Sequence, residues 1–264
     1  MEATPLVMGL LAGVTIFAGL PVAILPRTSD KQRAFLSSVA TGILIYLFIE
    51  MCAKVIDELE DLLSSSMADY PTWGDFWLYS FIFIAGLALG LVGLVFFETK
   101  FIKQGKDEVL PLMRAKRTAM LIAISIGLHN LTEGLAIGSQ YAWGEQTLAL
   151  LLALGFGLHN ATEGFAIAAP MAGNAPGSKY LFGLGLIAGL PTFFGSIIGS
   201  MWTSKILETL FLSVAAGTIL YIIGELLHLG RHLKGEAIVE VGLLVGFLTA
   251  FATEMLIVAR GGAL

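Results

Sequence analysis

Residues 129–134 read His-Asn-Leu-Thr-Glu-Gly, and residues 159–164 read His-Asn-Ala-Thr-Glu-Gly. Each copy lies in the middle of an apolar stretch long enough to cross a membrane as a helix. A histidine and a glutamate four apart sit one turn apart on a single helix face. The two copies together offer two imidazoles and two carboxylates to a common point. That donor set suits a divalent metal, placed where bare charge is least welcome.

Working outward, the chain is 56% hydrophobic and only 13% charged, and its charges gather between the apolar runs. This is the pattern of an all-α integral membrane protein. Eight transmembrane spans are expected, at about 6–25, 34–56, 76–97, 118–140, 147–169, 180–202, 209–228 and 238–258. They fill residues 1–264 as one transmembrane domain. The opening run has no basic segment before it and no clear small-residue cleavage site, so it reads as the first span and not a signal peptide. A single cysteine, Cys52, excludes an internal disulfide and a cysteine zinc site.

The first, third, fifth and seventh connections carry twelve of the fifteen Lys and Arg, leaving only Lys54, Lys205 and Arg260 elsewhere. The positive-inside rule then puts both termini outside. The opposite side is acidic, with Asp57, Glu58, Glu60, Asp61, Asp69 and Asp75 expected in one outer loop. Such a surface concentrates cations near an entrance.

The first three spans resemble the last three. Ala18-Gly19-Leu20-Pro21 returns as Ala188-Gly189-Leu190-Pro191, and the stretch from Ser38 to Glu50 returns from Ser213 to Glu225. Gly86, Leu87, Gly90 and Glu98 match Gly242, Leu243, Gly246 and Glu254. The offsets are 170, 175 and 156. An odd number of spans separates the copies, so the second enters from the opposite side. The expected arrangement is three, two, three: inverted repeats flanking the motif-bearing fourth and fifth spans. Inverted repeats with a midplane site between them are typical of secondary transporters.

If spans four and five form an antiparallel hairpin turning near Gly144 to Gln146, His129 stands level with Glu163, and Glu133 with His159. Both pairs share the midpoint 146. The two layers are then about 6 Å apart, at 1.5 Å rise per residue. Asn130 and Asn160 can supply an amide oxygen or hold a ligand in place. The structural alternative is a set of buried polar residues bonding helices together. Ionisable groups at the bilayer centre cost roughly 2.5–3.5 kcal/mol each on insertion scales, which favours a functional reading. Gly134 and Gly164 read as positions of close helix packing.

Glu50 and Glu225 are repeat-related, and both are expected in the inner parts of spans two and seven. Glu225 and His228, three apart on one face, suggest a secondary metal site or exit path with Glu50. The alternative is a pair of interfacial acids, with His228 facing headgroups.

A His-Asn-x-x-Glu-Gly motif in spans four and five of an eight-span chain resembles the ZIP (Zrt/Irt-like) metal transporters. The resemblance covers span count, outer termini, the three-two-three arrangement and the paired motif. It implies uptake of zinc, iron, manganese or a related ion toward the cytoplasm, with His129, Asn130, Glu133, His159, Asn160 and Glu163 as metal residues. It also implies dimers and an elevator-like movement of the site-bearing helices. Three departures stand out. Thr132 and Thr162 replace the proline that usually precedes the glutamate, although threonine can bond back to the preceding turn. The sixth span reads Ala188-Gly189-Leu190-Pro191-Thr192 where a glutamate for a second ion is common, so one ion is expected. The connection between spans three and four lacks the histidine cluster of eukaryotic members, which leans toward a prokaryotic inner membrane.

No cofactor and no nucleic-acid partner are expected; the metal (Zn, Fe, Mn, Co or Cd) is substrate. Mixed nitrogen and oxygen ligands suit all of these to different degrees. One rival is a membrane-embedded zinc hydrolase using the same ligands to activate water. Against it stand the absence of an HExxH segment and of a separate base. A metal-selective channel is the other rival.

Overall fold

A computed structural model describes residues 3–24, 29–67, 73–97, 99–100, 111–174, 176–201, 204–232 and 236–259. The first span is α1 (Ala3–Val14), α2 (Ile16–Gly19) and a 3-10 turn (Leu20–Ile24). Seven long helices follow: α3 (Asp30–Met67), α4 (Trp73–Phe97), α5 (Pro111–Ala142), α6 (Gln146–Ala168), α7 (Ser178–Met201), α8 (Lys205–His232) and α9 (Glu236–Ala259). Among the described residues, eight segments are long and apolar enough to cross a membrane, as the hydropathy reading expects.

The helices outlast the apolar runs that announced them. At 38 residues α3 is roughly 57 Å long at 1.5 Å rise, well beyond a hydrocarbon core of about 30 Å. Asp57, Glu58, Glu60 and Asp61 therefore lie on α3, and Asp75 in the first turn of α4, not in one loop. Asp69 falls outside the described residues. The correction has a simple cause: leucine and glutamate keep a helix running in water once packing has started it. Likewise α5 opens on Pro111, a residue suited to a first turn, and carries Arg114, Lys116 and Arg117 on helix.

The inverted repeat is visible in reciprocal packing. Gly42 on α3 lies against the backbone of Leu243 and Phe247 on α9, while Gly217 on α8 lies against Leu87 and Leu91 on α4. Ser38 faces Gly242 as Ser213 faces Gly86. These pairs keep the offsets 175 and 156 of the sequence matches. The first match needs correction. Gly13, not Gly19, is the counterpart of Gly189, since each meets the other's carbonyl oxygen. Ile16 and Gly19 take against Gly164 the places that Thr192 and Gly195 take against Gly134. The offset of α1 to α7 is thus 176, with Ala12-Gly13-Val14-Thr15 matching Ala188-Gly189-Leu190-Pro191. In apolar helices a short Ala-Gly-Leu-Pro identity arises by chance, whereas mutual close approach does not. Under this register Thr15, where α1 breaks, is the counterpart of Pro191 inside α7.

α5 packs along α7, and α6 along α1 and α2. The motif helices are therefore each backed by one repeat-related helix. The outer surface is apolar, with Phe81 and Ile84 on α4, Phe182 and Phe194 on α7, and Leu244 and Leu248 on α9 exposed. Such a surface is stable against acyl chains.

Candidate metal centre

α5 and α6 are joined by a tight turn in which Gly144 takes φ 89°, a left-handed conformation that glycine adopts without steric cost. The antiparallel hairpin brings the two motifs level. His129 Nε2 lies 3.4 Å from Glu133 Oε1 on its own helix and 3.8 Å from Glu163 Oε1 across the interface. His159 Nε2 lies 3.9 Å from the same Glu163 oxygen. The two imidazole centroids are 6.3 Å apart, matching the layer spacing expected from helical rise. Ligand atoms of His129, Glu133 and His159 all fall within 4.8 Å of one another. Such separations admit one ion between the side chains, at bond lengths near 2.0–2.2 Å, after small rotamer shifts.

All six motif residues are buried, none more than 3% exposed. Asn130 Nδ2 donates to the carbonyl oxygen of Ala188 at 3.0 Å, and Asn160 Nδ2 donates to that of Ala12 at 2.9 Å. Ala188 and Ala12 are counterparts in the two repeats, so the asparagines hold the site symmetrically to α7 and α1. Their Oδ1 atoms have no hydrogen-bond partner among the described residues, nor do the four imidazole nitrogens or Glu133 Oε2. A buried acceptor left open costs about 1–3 kcal/mol. So many in one place mark a site shaped for something that binds there.

Thr132 and Thr162 bond back to the preceding turn, as the sequence reading allows. Thr132 Oγ1 donates to the His129 carbonyl at 2.6 Å, and Thr162 Oγ1 to the His159 carbonyl at 2.7 Å. Gly134 packs on the backbone of α7 and Gly164 on that of α2, where a Cβ would collide with the carbonyls of Thr192 and Ile16. Close packing, as expected, is their use.

A cavity of about 420 Å³ reaches Glu133 and Thr132 from one end of the bundle. Its walls include Asp57, Glu58 and Asp61 of α3, Gln140 of α5, and Lys205 and Glu208 of α8. Across its mouth Lys205 Nζ bonds Glu58 at 2.9 and 3.0 Å. Toward the other end the site rests on Ile122, Ile126, Leu44, Leu47, Ile167 and Met171, all buried in one apolar cluster.

Glu50, Glu225 and His228 do not come together. Glu50 stands midway along α3, one turn before Lys54 of the cavity wall. Glu225 and His228 are exposed near the far end of α8, about 30 Å along the helix from Lys205 at 1.5 Å per residue. Placing both acids in the inner halves overlooked the inversion: equivalent residues of an inverted pair sit at opposite ends. Two residues near the site went unread. Lys54 counted only as a topology charge, and Glu254 only as a repeat match. Glu254 is 3% exposed on α9, and its Oε1 has no partner among the described residues. A carboxylate inside the last apolar run, short of its end, was the signal for it.

Eight apolar spans among the described residues, two of them carrying a buried, paired His/Asn/Glu constellation, define a multi-pass membrane protein of the inverted-repeat kind. A family model described as ZIP Zinc transporter matches residues 83–254, and the chain belongs to that family. It is similar to proteins named zinc transporter ZupT from Salmonella paratyphi A (strain ATCC 9150 / SARB42) and Salmonella heidelberg (strain SL476). Each is 31% identical over 138 residues, covering 50% of this chain and 48% of the relative. The chain thus spans about half the length of the curated relatives it matches.

Proposed function

We propose that this protein carries a divalent cation of the zinc type across a bacterial inner membrane toward the cytoplasm. His129, Glu133, His159 and Glu163 bind the ion, and Asn130 and Asn160 bind or orient it. The observation that carries this reading is the set of open buried donors on α5 and α6, at the foot of a cavity with acidic walls. The carboxylates of Glu133 and Glu163 neutralise the two charges of the ion, and neutral imidazoles complete its shell. By the distribution of Lys and Arg, the cavity mouth is the outer face and both termini lie outside. The apolar cluster beneath the site closes the inner path. Movement of α5 and α6 against the repeat-related helices then exchanges access, and two copies of the chain would assemble as the family resemblance implies. A cell-negative potential favours entry of two charges by about 4.6 kcal/mol per 100 mV.

The test is uptake of Zn²⁺, Fe²⁺, Mn²⁺, Co²⁺ and Cd²⁺ by purified protein in liposomes, beside the double variant Glu133→Ala/Glu163→Ala. Saturable uptake that the double variant loses supports the proposal. Uptake unchanged in the variant sinks it, and uptake that never saturates indicates a channel.

A further inference from the structure

Beside the paired motif lies a second group of charged side chains for which transport through α5 and α6 has no use. Lys54 Nζ lies 3.0 Å from Glu50 Oε1, one turn earlier on α3. Only 10% of the Glu50 side chain is exposed, and its other oxygen, Oε2, is buried with no partner among the described residues. Glu254 Oε1, from α9, is equally buried and open. The ammonium is within electrostatic reach of Glu50, Glu133 and Glu254, and it lies 6.0 Å from the centroid of the Phe156 ring on α6. Lys54 and Glu133 line the same cavity. Lys54 thus touches Glu50 directly and lies within the electrostatic reach of two further carboxylates, Glu133 on α5 and Glu254 on α9.

We infer that Glu50 and Glu254 make a second cation locus beside the first. In this chain the ammonium of Lys54 fills it as a tethered cation and holds the protein to one bound metal ion. Carboxylate oxygens are hard ligands that a small divalent ion accepts readily. An ammonium in their midst is a point charge with three donors, and the Glu50 contact accounts for one of them. A second M²⁺ entering this space would meet like charge at a few ångströms in a medium of low dielectric, where repulsion is strong. The repeat-related position is Leu229, so only one copy carries the device.

This inference rests on the reading of His129, Glu133, His159 and Glu163 as the transport site. The experiment counts Cd²⁺ bound per chain by equilibrium dialysis of full-length protein in nanodiscs. Wild type and Lys54→Arg are expected to hold one ion, and Lys54→Gln two. Lys54→Gln/Glu254→Gln should return to one. Lys54→Met, with a stem of similar length and no charge, repeats the test should the glutamine variant fold poorly. A neutral variant that melts like wild type and still binds one ion overturns the inference, as does a wild type that binds two. If wild type binds none, or Glu133→Ala/Glu163→Ala keeps its ion, the transport-site reading itself fails and takes this inference with it.

Discussion

His129 and Glu163, on adjacent antiparallel helices, face each other with Nε2 and Oε1 3.8 Å apart in a fully buried layer. Neither has a lysine or arginine in ion-pair contact among the described residues. A histidine and a carboxylate packed this way accept a metal by giving up protons, not by breaking an existing bridge. The carboxylates matter most, since they alone offset the charge of the ion. Glu133→Gln and Glu163→Gln keep shape and remove charge, so each should weaken Cd²⁺ binding at least tenfold, about 1.4 kcal/mol. Titration calorimetry at fixed pH measures it; affinity within a factor of two of wild type would contradict the assignment.

Acidification should slow uptake. Metal binding requires ionised carboxylates and neutral imidazoles, so each proton added to the site competes with the ion. Initial rates in proteoliposomes should therefore fall as external pH drops from about 7.5 to about 5.5, the interval that brackets an ordinary histidine. Raising the metal concentration should restore them. A rate that rises on acidification would mean that protons drive the ion and do not displace it.

The asparagine amides anchor the site to the flanking repeats at Ala188 and Ala12. Asn130→Ala or Asn160→Ala removes that bond and an open amide oxygen together. Each should cost about 1–2 kcal/mol of stability, read as a lower melting temperature in detergent. Asn130→Ser, with a shorter reach, should behave like the alanine variant. Unchanged melting in both would show the anchors to be dispensable.

Close backbone approach at Gly134 and Gly164 makes them intolerant of a methyl group. Gly164→Ala should destabilise by about 1–3 kcal/mol, because a Cβ would strike the Ile16 carbonyl and force α6 off α2. Gly183→Ala on α7 is the control: no atom lies within 4 Å of its Cβ position, and alanine favours the helix there. Equal behaviour of the two in thermal unfolding would rule out the packing argument.

The cavity gives an orientation test. With Cys52 replaced by serine, a cysteine at Ser139 or Gln140 should react with an impermeant thiol reagent applied outside whole cells. A cysteine at Leu44, in the apolar cluster, should not react. Labelling of the cavity positions only from the cytoplasmic side would invert the topology.

How much of this was legible beforehand depends on the kind of interaction. The eight spans came from hydropathy, because a bilayer tolerates only long apolar helices with their backbone bonds satisfied internally. The meeting of the two motifs was equally readable: spacing of four and a common midpoint define a face and a level, and helix geometry carries both into space. Even the Thr132 and Thr162 back-bonds follow from local chemistry. The register of α1 against α7 was not local. Two apolar helices can be aligned several ways on paper, and only the mutual approach of Gly13 and Gly189 selects one. The helical run of Asp57 to Asp61 depended on tertiary anchoring of α3, which hydropathy does not report. Lys54 and Glu254 were the hardest to see, since they are far apart in the chain and belong to no motif. The sequence by itself thus determined the membrane class, the span order and the paired donors, all set by short-range periodicity. The tertiary structure decided the company those donors keep, because the charges surrounding a buried site come from helices that meet only when the bundle closes.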